Sequence, residues 1–267
     1  MNRHILIKTL IIVLVMLLCP AESAFAGHPL ITDDTFTQGK GKFQLEINGQ
    51  IGFDDNHQTD ESGTPVIIKS QESEFNTSLT YGVIDSVDLI VGFPYEWKKS
   101  ETGPSTLYNE NGLTDLSIAV KWRFLKKEPF TFAIKPGITL PTGNMDKYLG
   151  TGRITGSLFF ITSVELQPFL FHLNLGYIKN VNDIEERVDL YHASLAGEWQ
   201  VLKSVRLAVN GGVEENSDAT SSEDRVFILG GLIYSPTENL DFDAGIKIGV
   251  TDSETDYMFL GGVTFRF

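Results

Sequence analysis

The 267-residue sequence has one cysteine, Cys19, which lies in a leader-like stretch at the start of the chain. If that stretch is removed on export, a disulfide framework, a thiolate nucleophile and a cysteine metal site are all excluded. Basic residues are also scarce, with 21 Lys and Arg against 35 Asp and Glu and a net charge of −14. Nucleic acid is not expected as a partner, because phosphate backbones are bound by a surplus of basic side chains.

Long hydrophobic runs are missing after residue 26. No later stretch approaches the roughly 18 apolar residues that a membrane-spanning helix needs. The composition is nevertheless not that of a disordered chain, since 42% of the residues are hydrophobic and 11% are aromatic. Any route into a membrane must therefore use strands.

Residues 1–26 have the parts of a cleaved secretory signal peptide. A positively charged start precedes an apolar run at 10–18, and Ala24-Phe25-Ala26 places small residues before a cut at Gly27. The alternative is a lipoprotein cut before Cys19, but Leu18 is bulky where a small residue is needed. The sequence predicts an exported chain that begins at Gly27.

The rest of the chain alternates between apolar and polar residues with a period of two. Leu89, Val91 and Phe93, for example, flank Asp88 and Gly92. This pattern is typical of strands with one apolar and one polar face. Twelve such segments lie near 42–54, 72–83, 87–98, 113–124, 130–140, 153–165, 168–178, 188–200, 205–215, 225–235, 240–251 and 256–267.

The connections between these segments alternate in length. Short ones lie at 84–86, 125–129, 166–167, 201–204 and 236–239, and long polar ones at 55–71, 99–112, 141–152, 179–187 and 216–224. Short periplasmic turns and long outer loops are typical of outer-membrane barrels. We therefore predict an all-β, closed antiparallel transmembrane β-barrel of about 12 strands over 42–267, in the outer membrane of a Gram-negative cell. The even strand count places both termini in the periplasm.

Aromatic residues indicate which face touches lipid. On the last segment they stand at both ends of the apolar face, which consists of Tyr257, Phe259, Gly261, Val263, Phe265 and Phe267. Aromatic rings concentrate at the two membrane interfaces, whereas a buried sandwich core would scatter them along the strand. The opposite faces then line a lumen, although the segments 153–165 and 225–235 also place apolar residues there.

The predicted inner face carries charges of both signs. The lumen-lining candidates are Asp115, Lys121, Arg123, Lys135, His172, His192, Glu198, Arg206, Asp241, Asp243 and Lys247. These groups either line water or cross-link the wall. A lumen of 12 strands lies between the filled 8-stranded and the open 16-stranded cases, which predicts a narrow, gated or partly plugged path.

His172 and His192 form the one constellation that suggests a metal. They lie on consecutive predicted strands, and a loop centred near Asn182 would place them opposite each other, with Cβ atoms about 5 Å apart. Such a pair would bind a transition metal or respond to pH, whereas two unrelated lumen histidines are the simpler interpretation.

Residues 27–41 precede the first segment and are predicted to be a periplasmic lead-in or a plug. Apolar residues on the nominal inner faces would pack against such a plug or line a route for hydrophobic solutes. They are Ile90, Phe159, Ile161, Leu170, Ile178, Phe227, Leu229, Ile233, Met258 and Leu260.

Two parts of the chain carry a family resemblance. The stretch His28-Pro29-Leu30-Ile31-Thr32-Asp33-Asp34-Thr35, continuing through residues 37–46, and the pair Pro141-Thr142-Gly143 and Gly150-Thr151-Gly152 resemble the family named Putative MetA-pathway of phenol degradation. The resemblance implies a transporter-like barrel for small aromatic or other apolar solutes, with no catalytic residues. The final Phe267 resembles the C-terminal signal read by the barrel-assembly machinery.

The expected function is passive uptake of small solutes through an outer-membrane channel, with no cofactor and no covalent chemistry. A lipid hydrolase would need Ser and His together on the lipid face, where the outward positions hold no histidine. A structural or surface-interaction barrel without transport is the second alternative. Its acidic outer loops would hold divalent ions against lipopolysaccharide.

Overall fold

The computed structural model describes residues 27–59 and 63–267. The predicted signal peptide at 1–26 lies outside the described residues. Within them, no helix is long and apolar enough to cross a membrane.

Strands make up most of the described chain. In order they are β1 (Phe43–Thr59), β2 (Pro65–Ile84), β3 (Val87–Thr102), β4 (Ser105–Leu113), β5 (Leu116–Lys127), β6 (Phe130–Leu140), β7 (Thr155–Leu166), β8 (Phe169–Lys179), β9 (Asp189–Leu202), β10 (Val205–Glu214), β11 (Arg225–Thr237), β12 (Leu240–Gly249) and β13 (Tyr257–Arg266). One turn of 3-10 helix, Met145–Lys147, lies between β6 and β7.

Twelve of these strands close into an antiparallel barrel. Each strand pairs with its neighbour in the chain, except that β3 pairs with β5, and β1 closes the ring by pairing with β13. Closure gives every backbone group at membrane depth a partner, which lipid cannot provide. The predicted all-β barrel of 12 strands is confirmed.

The ends of the barrel chain meet at one seam. The backbone N–H of Phe43 donates to the carbonyl of Phe267 at 2.7 Å, and Phe267 donates back to Phe43 at 2.9 Å. The start of β1 and the last residue, Phe267, therefore lie at the end of the barrel that carries the short turns. That this end faces the periplasm stays a prediction.

The prediction of the two longest loops, at 55–71 and 99–112, is partly wrong. The chain at 55–71 and at 99–112 continues as strands, so that β1 with β2, and β3 with β4, form hairpins that extend beyond the ring. The thirteenth strand, β4, lies beside the outer half of β3. Both faces of these extensions are polar or mixed. Apolar and polar residues therefore do not alternate along them, and the sequence pattern does not identify them as strands.

Side-chain burial confirms which face is outward. Leu195 is 58% exposed and Leu175 49%, whereas Ile161 and Phe227 on the inner faces are at most 1% exposed. The inward facing predicted for the apolar residues of β7 and β11 is therefore correct. The aromatic rings at the outer ends of the apolar faces are exposed as well, including Tyr257 and Phe265.

A charge placed on the outward face at mid-strand should destabilise the barrel. We expect Leu195→Arg to lower the free energy of unfolding by about 2–4 kcal/mol, because the guanidinium would enter hydrocarbon. Urea unfolding in phospholipid vesicles, followed by tryptophan fluorescence, measures this loss. Val181→Arg, in the outer loop, is the matched control and should change stability by less than about 0.5 kcal/mol. Equal losses for the two variants would contradict a lipid-facing Leu195.

Candidate functional site

Residues Gly27–Lys42, the lumen segment, run inside the barrel. The side-chain carbonyl of Asn210 on β10 accepts from the backbone N–H groups of Ile31 and Thr32, at 2.8 and 3.1 Å. The Thr32 hydroxyl donates to the Ser194 hydroxyl on β9 at 2.7 Å. These backbone groups do not belong to a sheet, so their hydrogen-bond partners are polar side chains of the barrel wall.

Acidic residues tie the lumen segment to the opposite wall. Asp33 accepts from Lys121 of β5 at 2.8 Å and from Lys135 of β6 at 2.6 Å. Asp34 lies 3.4 Å from Lys121. Asp33 belongs to the lumen segment, outside the membrane-spanning strands. Burial alone would raise its pKa, but the two ammonium groups outweigh burial and hold the pKa well below its usual range.

The lumen segment also has an apolar contact with the wall. Leu30 and Ile31 pack against a buried cluster of Leu229, Met258 and Leu260 from β11 and β13. Three of the inward apolar residues found in the sequence thus cover the lumen segment instead of lining an open route. Burial of this surface adds a hydrophobic term to the polar anchors.

A close backbone approach holds the lumen segment where it meets the wall. The N–H of Gly41 donates to the carbonyl of Gly82 at 2.7 Å, and Gly82 donates to Lys42 at 2.9 Å. A Cβ at Gly82 would lie 1.8 Å from the carbonyl oxygen of Gly39, and Gly39 and Gly41 have φ of +85° and +79°. Glycine is required at this crossing, both for space and for backbone conformation.

A chain of hydrogen bonds and ion pairs, the girdle, links the inner wall near the short-turn end. It runs in order through Ser163, His172, Glu198, Arg206, Asp241, Arg266 and Gln44. Arg206 lies 2.9 Å from Glu198 and 3.4 Å from Asp241, and all three side chains are buried. The inward charges were predicted either to line water or to cross-link the wall, and in the girdle they cross-link the wall.

The remaining predicted lumen residues also have partners. Arg123 donates to the carbonyl of Asp85 at 2.8 Å. Lys247 and Arg225 share one carboxylate oxygen of the buried Glu254, at 3.0 and 3.1 Å. Each of these basic side chains therefore has a hydrogen-bond acceptor in a short turn or an outer loop.

Asp115 organises the loop between β6 and β7. Its carboxylate accepts from the backbone N–H groups of Gly143 and Thr151, both at 2.8 Å, and from the Thr151 hydroxyl at 3.0 Å. A Cβ at Gly143 would lie 1.9 Å from the carbonyl oxygen of Leu149. The Pro-Thr-Gly and Gly-Thr-Gly elements are therefore held together around one carboxylate.

The proposed pairing of the two histidines is wrong. His172 lies opposite Ala196, and His192 opposite Gly176. Lys179 pairs with Asp189, which centres the β8–β9 loop at Ile184, so His172 pairs four residues beyond His192. His172 bonds to Ser163 and Glu198, and His192 bonds to Glu214 at 2.8 Å and to Ser194 at 2.7 Å.

Sequence reasoning missed the acidic anchors in the lumen segment. Asp33 and Asp34 appeared in the sequence only as part of a family motif. A usable signal existed, since Lys121 and Lys135 face inward from adjacent strands and need a counter-charge. Asn210 gave no such signal, because an inward asparagine is ordinary in a polar lumen.

Free space remains on one side of the lumen segment. A cavity of about 250 Å³ lies between the segment and the inner faces of β1, β2, β3, β5 and β6, and its wall includes Glu46, Asn48, Ser78 and Thr80. A second cavity, of about 270 Å³, lies at the loop end beside Glu72. Both cavities border β1 and β2, so the unfilled space follows that side of the barrel.

Loss of the Asp33 carboxylate should release the lumen segment. Asp33→Asn leaves the buried Lys121 and the partly exposed Lys135 with a weakened partner, and breaking a buried pair costs about 3–5 kcal/mol. We expect a cysteine placed at the fully buried Thr35 to react with a maleimide reagent at least tenfold faster in the Asp33→Asn background. Asp218→Asn in an outer loop is the matched control. An unchanged labelling rate would show that the ion pairs do not hold the segment.

Comparison with known proteins identifies the class of fold. The chain is similar to the COG4313 outer membrane channel from Pseudomonas putida F1, with 16% identity, a TM-score of 0.65, and coverage of 88% of this chain and 98% of that one. It is also similar to the NanC porin, with 8% identity, a TM-score of 0.50, and coverage of 83% and 98%. Among curated proteins, none matches. The fold is that of an outer-membrane β-barrel of the channel and porin type.

The family follows from the sequence match. A family model described as Putative MetA-pathway of phenol degradation matches residues 31–267. The chain therefore belongs to this family, as the motifs in the lumen segment and in the β6–β7 loop indicated. The matched range includes most of the lumen segment as well as the barrel.

Proposed function

We propose that this protein is a channel of the Gram-negative outer membrane that passes small polar solutes passively along the β1–β3 side of its lumen. The observation that carries this proposal is the placement of the free space. The lumen segment packs against β7 and β9 to β13 and bonds to lysines of β5 and β6, while the two cavities follow β1 and β2. The short-turn end, where the lumen segment enters, faces the periplasm in this proposal.

The polarity of this wall favours cations and neutral polar solutes. Carboxylates face the lumen from β1 to β3, namely Glu46, Asp54, Glu72, Glu74 and Glu96. Glu74 lies directly opposite Glu96 in the register. The basic side chain on the same wall, Lys98, is held by Glu96 at 2.9 Å. Lys121, Lys135 and Arg225 also line the two cavities, but the carboxylates outnumber them. A passage with an excess of one sign of charge concentrates ions of the opposite sign.

The aromatic or apolar solutes that the family resemblance implied receive less support from this wall. Most inward apolar side chains are buried against the lumen segment or one another, including Leu229, Met258 and Leu260. Ile90 lines the 250 Å³ cavity, where the other apolar side chains, Leu30, Ile31 and Phe36, belong to the lumen segment and the remaining wall is mostly polar. A hydroxylated or amine-bearing solute fits these walls better than a hydrocarbon does.

Single-channel recording in planar bilayers tests the proposal. Replacing residues 30–38 with a Gly/Ser stretch of equal length should raise the conductance severalfold, because the widest obstruction is removed. A KCl gradient should give a reversal potential of the sign for cation preference. Glu72→Gln with Glu74→Gln should reduce that potential, while the exposed Glu101→Gln should leave it unchanged.

Silence of both the native and the Gly/Ser proteins in bilayers would overturn the channel proposal. In that case the structural or surface-interaction barrel would be the better account. If the protein conducts, liposome entry of a small sugar and of a simple aromatic hydrocarbon of similar size, each corrected for entry into protein-free liposomes, separates the solute classes. Faster protein-dependent entry of the hydrocarbon would contradict a polar passage.

A further inference from the structure

Four elements meet at one small volume beside the lumen segment. His28 belongs to the segment, Asn48 to β1, Asp243 to β12, and Gly262 to β13. In the strand register, Gly262 lies opposite both Asn48 and Asp243. The two side chains therefore flank a residue that has none, and His28 covers the opening between them.

Polar atoms converge on the space that a side chain at position 262 would occupy. The Cβ position of Gly262 lies 2.5 Å from Asn48 Oδ1, 2.7 Å from Asp243 Oδ2 and 2.9 Å from His28 Nδ1. His28 Nδ1 also lies 2.5 Å from Asp243 Oδ1. Three different donor groups of the kind that coordinate metals are thus gathered within a few ångströms.

Two of these atoms lack a protein partner. Asn48 Oδ1 and Asp243 Oδ2 are buried and have no hydrogen bond among the described residues. The Asp243 side chain is 1% exposed. Two buried acceptors that face one volume need a donor or a cation there, since an unsatisfied buried acceptor is costly.

We propose that His28, Asp243 and Asn48 bind a divalent transition metal ion and thereby tie the lumen segment to β1 and β12. An imidazole nitrogen and a carboxylate oxygen are ligands that suit Zn²⁺ and its neighbours in the first row, and the amide oxygen of Asn48 is the weakest of the three proposed ligands. His28 and Asn48 also line the 250 Å³ cavity, which offers an entry path and room for water ligands.

This site differs from the one suggested by the sequence. His172 and His192 are separated by the register, and both have carboxylate and hydroxyl partners. Among the described residues, no group of three or more His, Cys, Asp or Glu side chains gathers at a metal-binding distance. The third ligand proposed here is an asparagine.

Zinc binding to the full barrel in detergent, purified without a polyhistidine tag, tests the proposal. Calorimetry with Zn²⁺ alone, together with elemental analysis after dialysis, should give one ion per chain. His28→Ala and Asp243→Asn should weaken binding at least tenfold. His57→Ala, on the exposed outer part of β1, is the matched control and should bind as the native protein does.

Two further variants separate a metal site from a simple hydrogen bond. Gly262→Ala places a methyl group among the three ligand atoms and should abolish binding while leaving every ligand in the chain. Asn48→Asp adds a second carboxylate and should tighten binding. If the Asn48 amide merely donates to Asp243, the native protein binds no zinc, and Gly262→Ala has no binding to abolish.

The lumen segment provides an independent readout. Zinc should slow maleimide labelling of a cysteine at Thr35 in the native background, and EDTA should restore the faster rate. Absence of stoichiometric zinc, or equal binding in the His28→Ala variant, would overturn the proposed site. Because conductance does not require the metal, a barrel that conducts without binding zinc would refute this inference and leave the channel proposal standing.

Discussion

The contact between Asp33 and the ammonium groups of Lys121 and Lys135 determines how the interior of this barrel is arranged. The two lysines project from adjacent strands into a space that excludes most of the solvent, where two positive charges repel each other strongly. A carboxylate carried on the lumen segment meets both at 2.8 Å or less. The inserted chain segment therefore supplies one carboxylate that both lysines share.

Around that contact, the remaining interior divides into a filled and an unfilled side. On the filled side, the girdle and the cluster of Leu229, Met258 and Leu260 bind wall to wall and wall to segment. On the unfilled side, carboxylates and amides of β1 to β3 make the inner surface polar. All strands share the same alternation of outward and inward residues. The two sides of the interior differ because the inward residues differ, being packed together on one side and polar on the other.

The barrel could be predicted from the sequence because lipid imposes the same demand on every strand. Apolar residues such as Leu195 and Phe259 must recur at every second position, and this recurrence is visible without any knowledge of partners. The hairpin extensions and the histidine register could not be read in this way. Both depend on how far pairing continues in water, where neither face is constrained.

The sequence predicts which charged residues of the site face inward, but not which of them contact each other. Inward charges such as Glu198 and Arg206 follow from parity along a strand, but their order in the girdle requires strands that are distant in sequence. The segment at 27–41 was recognisable as a lead-in or a plug, yet its anchors, Asp33 and the amide of Asn210, became apparent only from the fold.

The glycines at the base of the lumen segment have a mechanical consequence. Gly39 and Gly41 have left-handed backbone angles immediately before the ladder of β1 begins, and Phe43 already pairs with Phe267. The hydrogen bonds that hold the lumen segment at its base, from Gly41 to Gly82 and from Gly82 to Lys42, are therefore distinct from the strand pairing that closes the barrel. The position of the lumen segment and the closure of the barrel therefore depend on separate sets of hydrogen bonds.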